Sequence, residues 1–183
     1  MSEGVIHLDV RIPYNSNSRV GTAYNREMQS VKDWVLFFDH DVFISTNPHW
    51  YDMCVEAVKQ VGHKAGWITG VTNRIGCSAQ KAESWGVSID LENDDYLQHV
   101  EYARTLWKKH GNKLVPADNE FSGFCILTHK KAWNAVGGVA DKMFVDRQYS
   151  RALIEKGFKQ YVMPGLYFYH LHKKKNEVWN WKT

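Results

Sequence analysis

The chain opens on alternation: Val5-Ile6-His7-Leu8-Asp9-Val10-Arg11-Ile12 switches between apolar and polar residues at period two, and Pro13 closes it, which predicts a first strand. A polar, turn-rich loop through Asn15-Ser16-Asn17-Ser18 leads to a short helix over 21–28, and Lys32-Asp33 marks the turn out of it. Trp34-Val35-Leu36-Phe37-Phe38 then shows no alternation at all. An unbroken apolar run of that length predicts a strand buried on both faces, as in the centre of a parallel sheet covered by helices. Asn47-Pro48 signals a helix start, and Trp50, Met53, Cys54, Ala57, Val58 and Val61 recur at three- and four-residue spacing until Gly62 stops them. Ala65–Val71 reads as another strand, with the loop Thr72-Asn73-Arg74-Ile75-Gly76 at its polar tip.

The same periodicities carry through the second half. Residues 94–110 place Tyr96, Leu97, Val100, Ala103, Leu106 and Trp107 on one helical face, closed by Gly111. Phe121–Thr128 predicts a strand, 130–136 a short helix ending at Gly137-Gly138, and 146–156 a helix stopped by Gly157. Two further strands are expected, at Tyr161–Met163 and at Leu166–His170. Strands alternating with helices, without repeats, predict an α/β fold: a three-layer sandwich around a mainly parallel sheet.

Composition narrows the setting. At 183 residues, 1–183 are expected to form a single domain with a substantial core. Hydrophobic residues at 44% and charged residues at 23% are ordinary for a soluble globular protein. Cys54, Cys77 and Cys125 are too scattered for a disulfide framework or a zinc pattern, so reduced thiols are expected. Met1-Ser2-Glu3-Gly4 lacks the character of a signal peptide, and nowhere do the roughly 20 apolar residues of a membrane span run together, so a cytoplasmic location is expected. A net charge of +3 is too small for a nucleic-acid footprint, and the one basic cluster, Lys173-Lys174-Lys175, reads on its own as a solvated run.

Chemistry enters where the buried run ends, in Asp39-His40-Asp41. In open α/β sheets the carboxyl ends of strands face the ligand crevice, and two carboxylates one residue apart on an extended strand end point the same way. Hard oxygen donors of that kind suit Mg²⁺ or Mn²⁺ bridging to a ligand's phosphates. A buried strand ending in Asp-x-Asp resembles the signature of nucleotide-sugar-dependent glycosyltransferases of the GT-A type. The blocks Phe121–Leu127, Ala132-Trp133, Val136–Asp141, Phe144-Val145-Asp146 and Arg151–Leu153 with Gly157 resemble, in order, the second half of the family 2 enzymes. Tyr167-Phe168-Tyr169-His170 is similar to the late strand whose final His reaches the metal or the diphosphate in such enzymes.

The resemblance implies roles position by position. Asp41 would hold a Mn²⁺ or Mg²⁺ ion on the diphosphate of a nucleoside-diphosphate sugar, with Asp39 on the ribose or the metal and His170 completing the metal site. Asp146 takes the place of the catalytic base, which implies an inverting transfer to a carbohydrate or other hydroxyl acceptor. Tyr14, Asn15, Arg19 and Asn25 fall in the elements that precede the Asp-x-Asp strand, and with Arg74 they are the expected donor-binding residues. His172 is an alternative to His170, since both share a strand face. His40 is expected to point away from the acids. Asp146 also suits the first turn of a helix for purely structural reasons. Lys173–Lys175 could close over the diphosphate, and Trp85, Trp179 and Trp181 are aromatic faces suited to sugar rings or to the core.

The chain departs from the family in two places. Ile12-Pro13-Tyr14-Asn15 and Arg19-Val20-Gly21-Thr22-Ala23-Tyr24-Asn25 lie almost end to end where the family has a longer nucleotide-binding half, and Val145 stands where an acidic residue usually precedes the base. A minimal nucleotide pocket, one completed by a partner chain in a homo-oligomer, or a degenerate nucleotide- or glycan-binding module without turnover all answer to that shortening. A nucleotidyltransferase also places acids at strand ends, but Asn15–Gly21 lacks its Gly-rich phosphate loop.

Overall fold

The computed structural model describes residues 6–14, 16, 19–141 and 144–171. Its elements run β1 (Leu8–Arg11), α1 (Val20–Ser30), β2 (Trp34–Phe38), β3 (Val42–Phe43), α2 (Trp50–Val61), β4 (Ala65–Thr72), α3 (Tyr96–His110), β5 (Val115–Ala117), β6 (Cys125–His129), α4 (Lys130–Val136), α5 (Val145–Glu155) and β7 (Lys159–His170). The strands form one seven-stranded sheet in the order β1-β2-β6-β4-β7-β3, with β5 also paired to β7.

The apolar run of β2 is unbroken because both of its faces are covered. Val35 and Phe37 pack with Tyr24 and Met28 of α1, Trp133 of α4 and Tyr149 and Leu153 of α5. Trp34, Leu36 and Phe38 pack on the other face with Met53, Cys54, Ala57 and Val58 of α2. Large side chains buried this completely each contribute about 1.5–3 kcal/mol, and on both faces the gain accrues to the strand that ends in Asp39. The α/β sandwich expected from the sequence is therefore present. Among the described residues no helix is long and apolar enough to cross a membrane.

The sheet is mixed rather than mainly parallel. β1 with β2 and β4 with β7 are parallel, but β6 runs antiparallel between β2 and β4, and β3 and β5 run antiparallel to β7. An apolar run reports burial and carries no strand direction. Direction follows from the connections, and the long excursion through α3 and β5 returns the chain to enter β6 from the opposite end. The expected strand 121–128 is also shorter: Phe121 and Phe124 are buried, yet regular pairing begins at Cys125.

The two late strands are one. Pro164-Gly165 reads as a break, but β7 runs through it with a register shift, from Thr69↔Val162 to Val71↔Tyr167. Proline is tolerated in a strand interior at such a bulge. Gly165 lies against the carbonyl of Gly111 with no room for a Cβ, so the bulge requires a residue without a side chain there.

A buried histidine ties β6 to α4. His129 Nδ1 accepts from the Ala132 N–H at 3.1 Å, capping α4, while Nε2 donates to the Ala65 carbonyl at 2.8 Å. That geometry needs the neutral ring, and burial, with His63 nearby, pushes its pKa from 6.5 down to about 4. Because the folded value is depressed, the unfolded chain takes up a proton here as pH falls below 6.5 while the folded chain does not until about 4. This contribution is fully present above 6.5 and is lost across that window, amounting to up to about 3 kcal/mol. His129→Asn keeps an acceptor at the cap but cannot titrate. Urea denaturation at about pH 7 and about pH 5 is expected to show a smaller pH-dependent loss in the variant than in the natural chain. Equal losses would assign the pH dependence to other groups.

Candidate metal and catalytic site

The Asp-x-Asp segment leaves β2 as a turn, not as a continuing strand. The Asp39 N–H donates to the Phe124 carbonyl at 3.2 Å, and the Val42 N–H donates back to the Asp39 carbonyl at 3.2 Å. The chain then pairs as β3 with the end of β7, in the register Val42↔His170 and Phe43↔Tyr169. The Leu171 N–H closes the arrangement on the Asp41 carbonyl at 2.9 Å. This stitching brings His170 Nε2 to 3.2 Å from Asp41 Oδ1. One ligand atom from each of Asp39, Asp41 and His170 lies within 4.8 Å of the others.

His170 is held by a side chain that acts as a strand partner. Asn73, at the tip after β4, donates from Nδ2 to the His170 carbonyl at 3.1 Å and accepts the His170 N–H on Oδ1 at 2.9 Å. The Thr72 hydroxyl donates to the same Oδ1 at 2.9 Å. Gln80 does the same on the other side of the site, donating to the Ser122 carbonyl at 2.9 Å and accepting the Ser122 N–H at 2.7 Å. Both amides are buried, so each backbone group they satisfy has little access to water.

Ser122 leads to Gly123, whose N–H donates to Asp146 Oδ2 at 2.8 Å. A Cβ on Gly123 would stand 3.0 Å from the Asp146 Cβ, tighter than side-chain contacts normally allow. The other oxygen, Oδ1, accepts from the Arg147 N–H at 2.8 Å, in the first turn of α5. Asp146 thus meets both descriptions offered by the sequence: it secures a helix start, and it faces the cavity that holds Asp39, Asp41 and His170. That cavity is about 520 Å³.

The electrostatics of the pair are asymmetric. Burial raises the Asp39 pKa to about 6; His170 opposes the rise, and the charges of Asp41 and Asp146 add to it. Burial also pushes Asp41 upward, but the hydrogen bond and charge of His170 outweigh it and hold Asp41 below the usual carboxylate range. The Tyr24 hydroxyl is raised well above its ordinary value by burial and by the nearby charges of Asp39 and Asp146. A cluster with that excess of negative charge is suited to a cation.

The other expected residues are placed elsewhere. Asn25 spends its amide on structure: Nδ2 donates to the Val139 carbonyl at 2.7 Å, and Oδ1 accepts from the Val139 N–H and from Trp133 Nε1. Arg74 turns to the Leu91 carbonyl and to Glu92. Tyr14 is exposed and its carbonyl accepts from Arg26, while Arg19 is exposed just before α1. None of these four lines the cavity, whereas His40 does, because the turn at 39–42 ends the strand alternation that was expected to point it away. Trp85 packs partly buried beside His110 and donates to the Ala79 carbonyl. Asn15, His172, Lys173–Lys175, Trp179 and Trp181 lie outside the described residues. The sequence reading did not anticipate Asn73 or Gln80 as positioning residues, nor Tyr24 and Trp133 as cavity wall; the polar tip 72–76 was the one available signal. No protein-family model and no curated protein matches the chain.

Replacing Asn73 by Ala leaves the buried N–H and carbonyl of His170 without their partner. Each such group costs about 1–3 kcal/mol, so urea unfolding should register a loss of about 2–4 kcal/mol. A loss under about 0.5 kcal/mol would mean that another group takes over the pairing.

Proposed function

We propose that this chain is a metal-dependent, inverting glycosyltransferase of GT-A type, moving a sugar from a nucleoside diphosphate to a hydroxyl of a carbohydrate or other acceptor. One observation carries the reading. Asp39 and Asp41, Asp146, and His170, the residues to which the resemblance gives metal and base roles, come from three separate segments and line a single cavity. The buried, free Cys54, Cys77 and Cys125 are consistent with the expected cytoplasmic setting.

The donor set fits Mn²⁺ or Mg²⁺. Around such an ion, neighbouring ligands at about 2.1 Å stand about 3 Å from each other, and Asp41 Oδ1 and His170 Nε2 are 3.2 Å apart. Two carboxylates with one imidazole favour Mn²⁺ over a purely oxygen-loving ion. When bound, the ion supplies positive charge to the departing diphosphate. Asp39, Asp41 and His170 would hold it. Asp146 orients the acceptor: its two backbone donors fix the carboxylate, and each oxygen keeps a lone pair for the acceptor O–H. As the acceptor oxygen forms its bond to the anomeric carbon, the bond to the diphosphate breaks and the hydroxyl proton passes to Asp146. A single displacement of this kind inverts the anomeric centre.

A second reading, a binding module without turnover, draws on the same carboxylate. Both Asp146 oxygens already accept backbone N–H groups, as a purely structural first-turn acid would. Two variants separate the readings. Asp41→Asn should abolish Mn²⁺-dependent binding of nucleoside diphosphates in calorimetry while circular dichroism stays native; unchanged affinity would remove the metal assignment. Asp146→Asn should retain donor binding and lower transfer by about 10²-fold or more. Full turnover in that variant would return Asp146 to its helix.

A further inference from the structure

Phenylalanine at position 144 serves nothing that the fold requires there. Its φ of 57° and ψ of 39° lie in the left-handed region, and among the described residues every other positive φ belongs to a glycine. Residues with a Cβ avoid that conformation, and a bulky one most of all. The start of α5 uses only the backbone of Phe144, whose carbonyl accepts from the Gln148 N–H at 3.0 Å. Burial does not compensate, because the side chain is 61% exposed. The residue nevertheless lines the cavity that holds Asp39, Asp41 and His170, two positions before Asp146. A flat apolar ring kept in water on strained backbone beside the candidate base points to contact with a ligand, not with the core.

The ring has charged company. Arg147 Cζ lies over it, 5.5 Å from the centroid. Among the described residues the Arg147 guanidinium has no hydrogen-bond or ion-pair partner, and a Cβ on Gly76 would stand 3.1 Å from its Nη2. We propose that Phe144 is the platform for the acceptor, and that the acceptor is a pyranose sugar stacked on this ring with its hydroxyls toward Asp146 and Arg147. This rests on the glycosyltransferase reading above and names its acceptor class. A pyranose presents a flat face of C–H groups edged by hydroxyls, so it needs an apolar plane with polar partners at the border. Phe144 supplies the plane, while the Arg147 N–H groups and the Asp146 carboxylate supply the border. A lipid alcohol would set its chain against both charges, and a serine or threonine side chain has no flat face to lay on the ring.

The test is saturation-transfer NMR of the full chain with Mg²⁺ and, in turn, uridine, guanosine and thymidine diphosphate. The probes are the methyl glycosides of glucose, galactose, mannose and N-acetylglucosamine, with butanol and N-acetylthreoninamide as alcohols that are not sugars. The expected result is saturation of at least one glycoside, strongest on the C–H protons of one ring face, and of neither alcohol. Phe144→Gly should lower that signal about 5-fold or more, the loss of one aromatic contact, and Phe144→Trp should retain it. Because glycine suits the left-handed backbone, Phe144→Gly should also unfold in urea at an undiminished midpoint, which a structural role for the ring would not allow. No glycoside signal, a signal from an alcohol instead, an undiminished signal in Phe144→Gly, or a midpoint that falls in that variant overturns the platform. Calorimetry of the same nucleoside diphosphates with Mn²⁺ decides the reading beneath it. Metal-dependent nucleotide binding without glycoside binding removes the platform and leaves the transferase reading standing, whereas Phe144-dependent glycoside binding without metal-dependent nucleotide binding overturns the transferase reading alone.

Discussion

The two-residue pairing of β3 with the end of β7 is what sets Asp41 against His170 in the cavity. β2 delivers Asp39 to the sheet edge, and the turn that follows must meet β7 in one register for Asp41 and His170 to face each other. A slip of one residue turns each paired side chain to the opposite face, separating the imidazole from the carboxylate. So short a pairing is not robust by itself. Its support comes from Phe43 stacked on Tyr169 with ring centroids 5.3 Å apart, from the Thr46 hydroxyl on the Tyr167 carbonyl, and from Asn73 gripping His170 on its other side.

Much of this was legible in the sequence, and the parts that were not share a physical reason. α2 and α3 announced themselves by apolar residues at helical spacing and by Gly62 and Gly111 at their ends. β2 announced itself by the absence of any polar position, and Asp39 and Asp41 by closing it, whereas Asp146 and His170 were named only through the resemblance to the family's later motifs. Strand direction was hidden, because burial leaves the same mark on a parallel and an antiparallel strand. The unity of β7 was hidden because Pro164-Gly165 has the composition of a turn, and only the glycine contact at residue 111 shows why it can be a bulge. Asn25 was expected at the donor because its segment resembles the family's helix before the Asp-x-Asp strand. Its amide instead closes the turn after α4.

The cavity owes its asymmetry to the layers around it. The acids and His170 come from strand ends and helix starts, where backbone donors are free to orient carboxylates. The aromatic and aliphatic lining, Tyr24, Ile126, Trp133 and Tyr149, comes from residues that also belong to the core between the sheet and α1, α4 and α5. A site assembled this way inherits its charge from the rim and its apolar surface from the interior.

Asn73 gives the molecule a specific way to age. Its amide serves as a one-residue strand, and the pairing depends on Nδ2 being a donor. Hydrolysis of that amide to a carboxylate, the slow chemistry that limits asparagine in long-lived proteins, would set a negative oxygen against the His170 carbonyl and beside a cluster already rich in negative charge. The mass would change by about one unit and the fold would remain, yet the residue that joins β7 to the acids would lose its anchor. Burial at the end of β4 protects that amide from water, so the packing that shapes the site also governs how long it lasts.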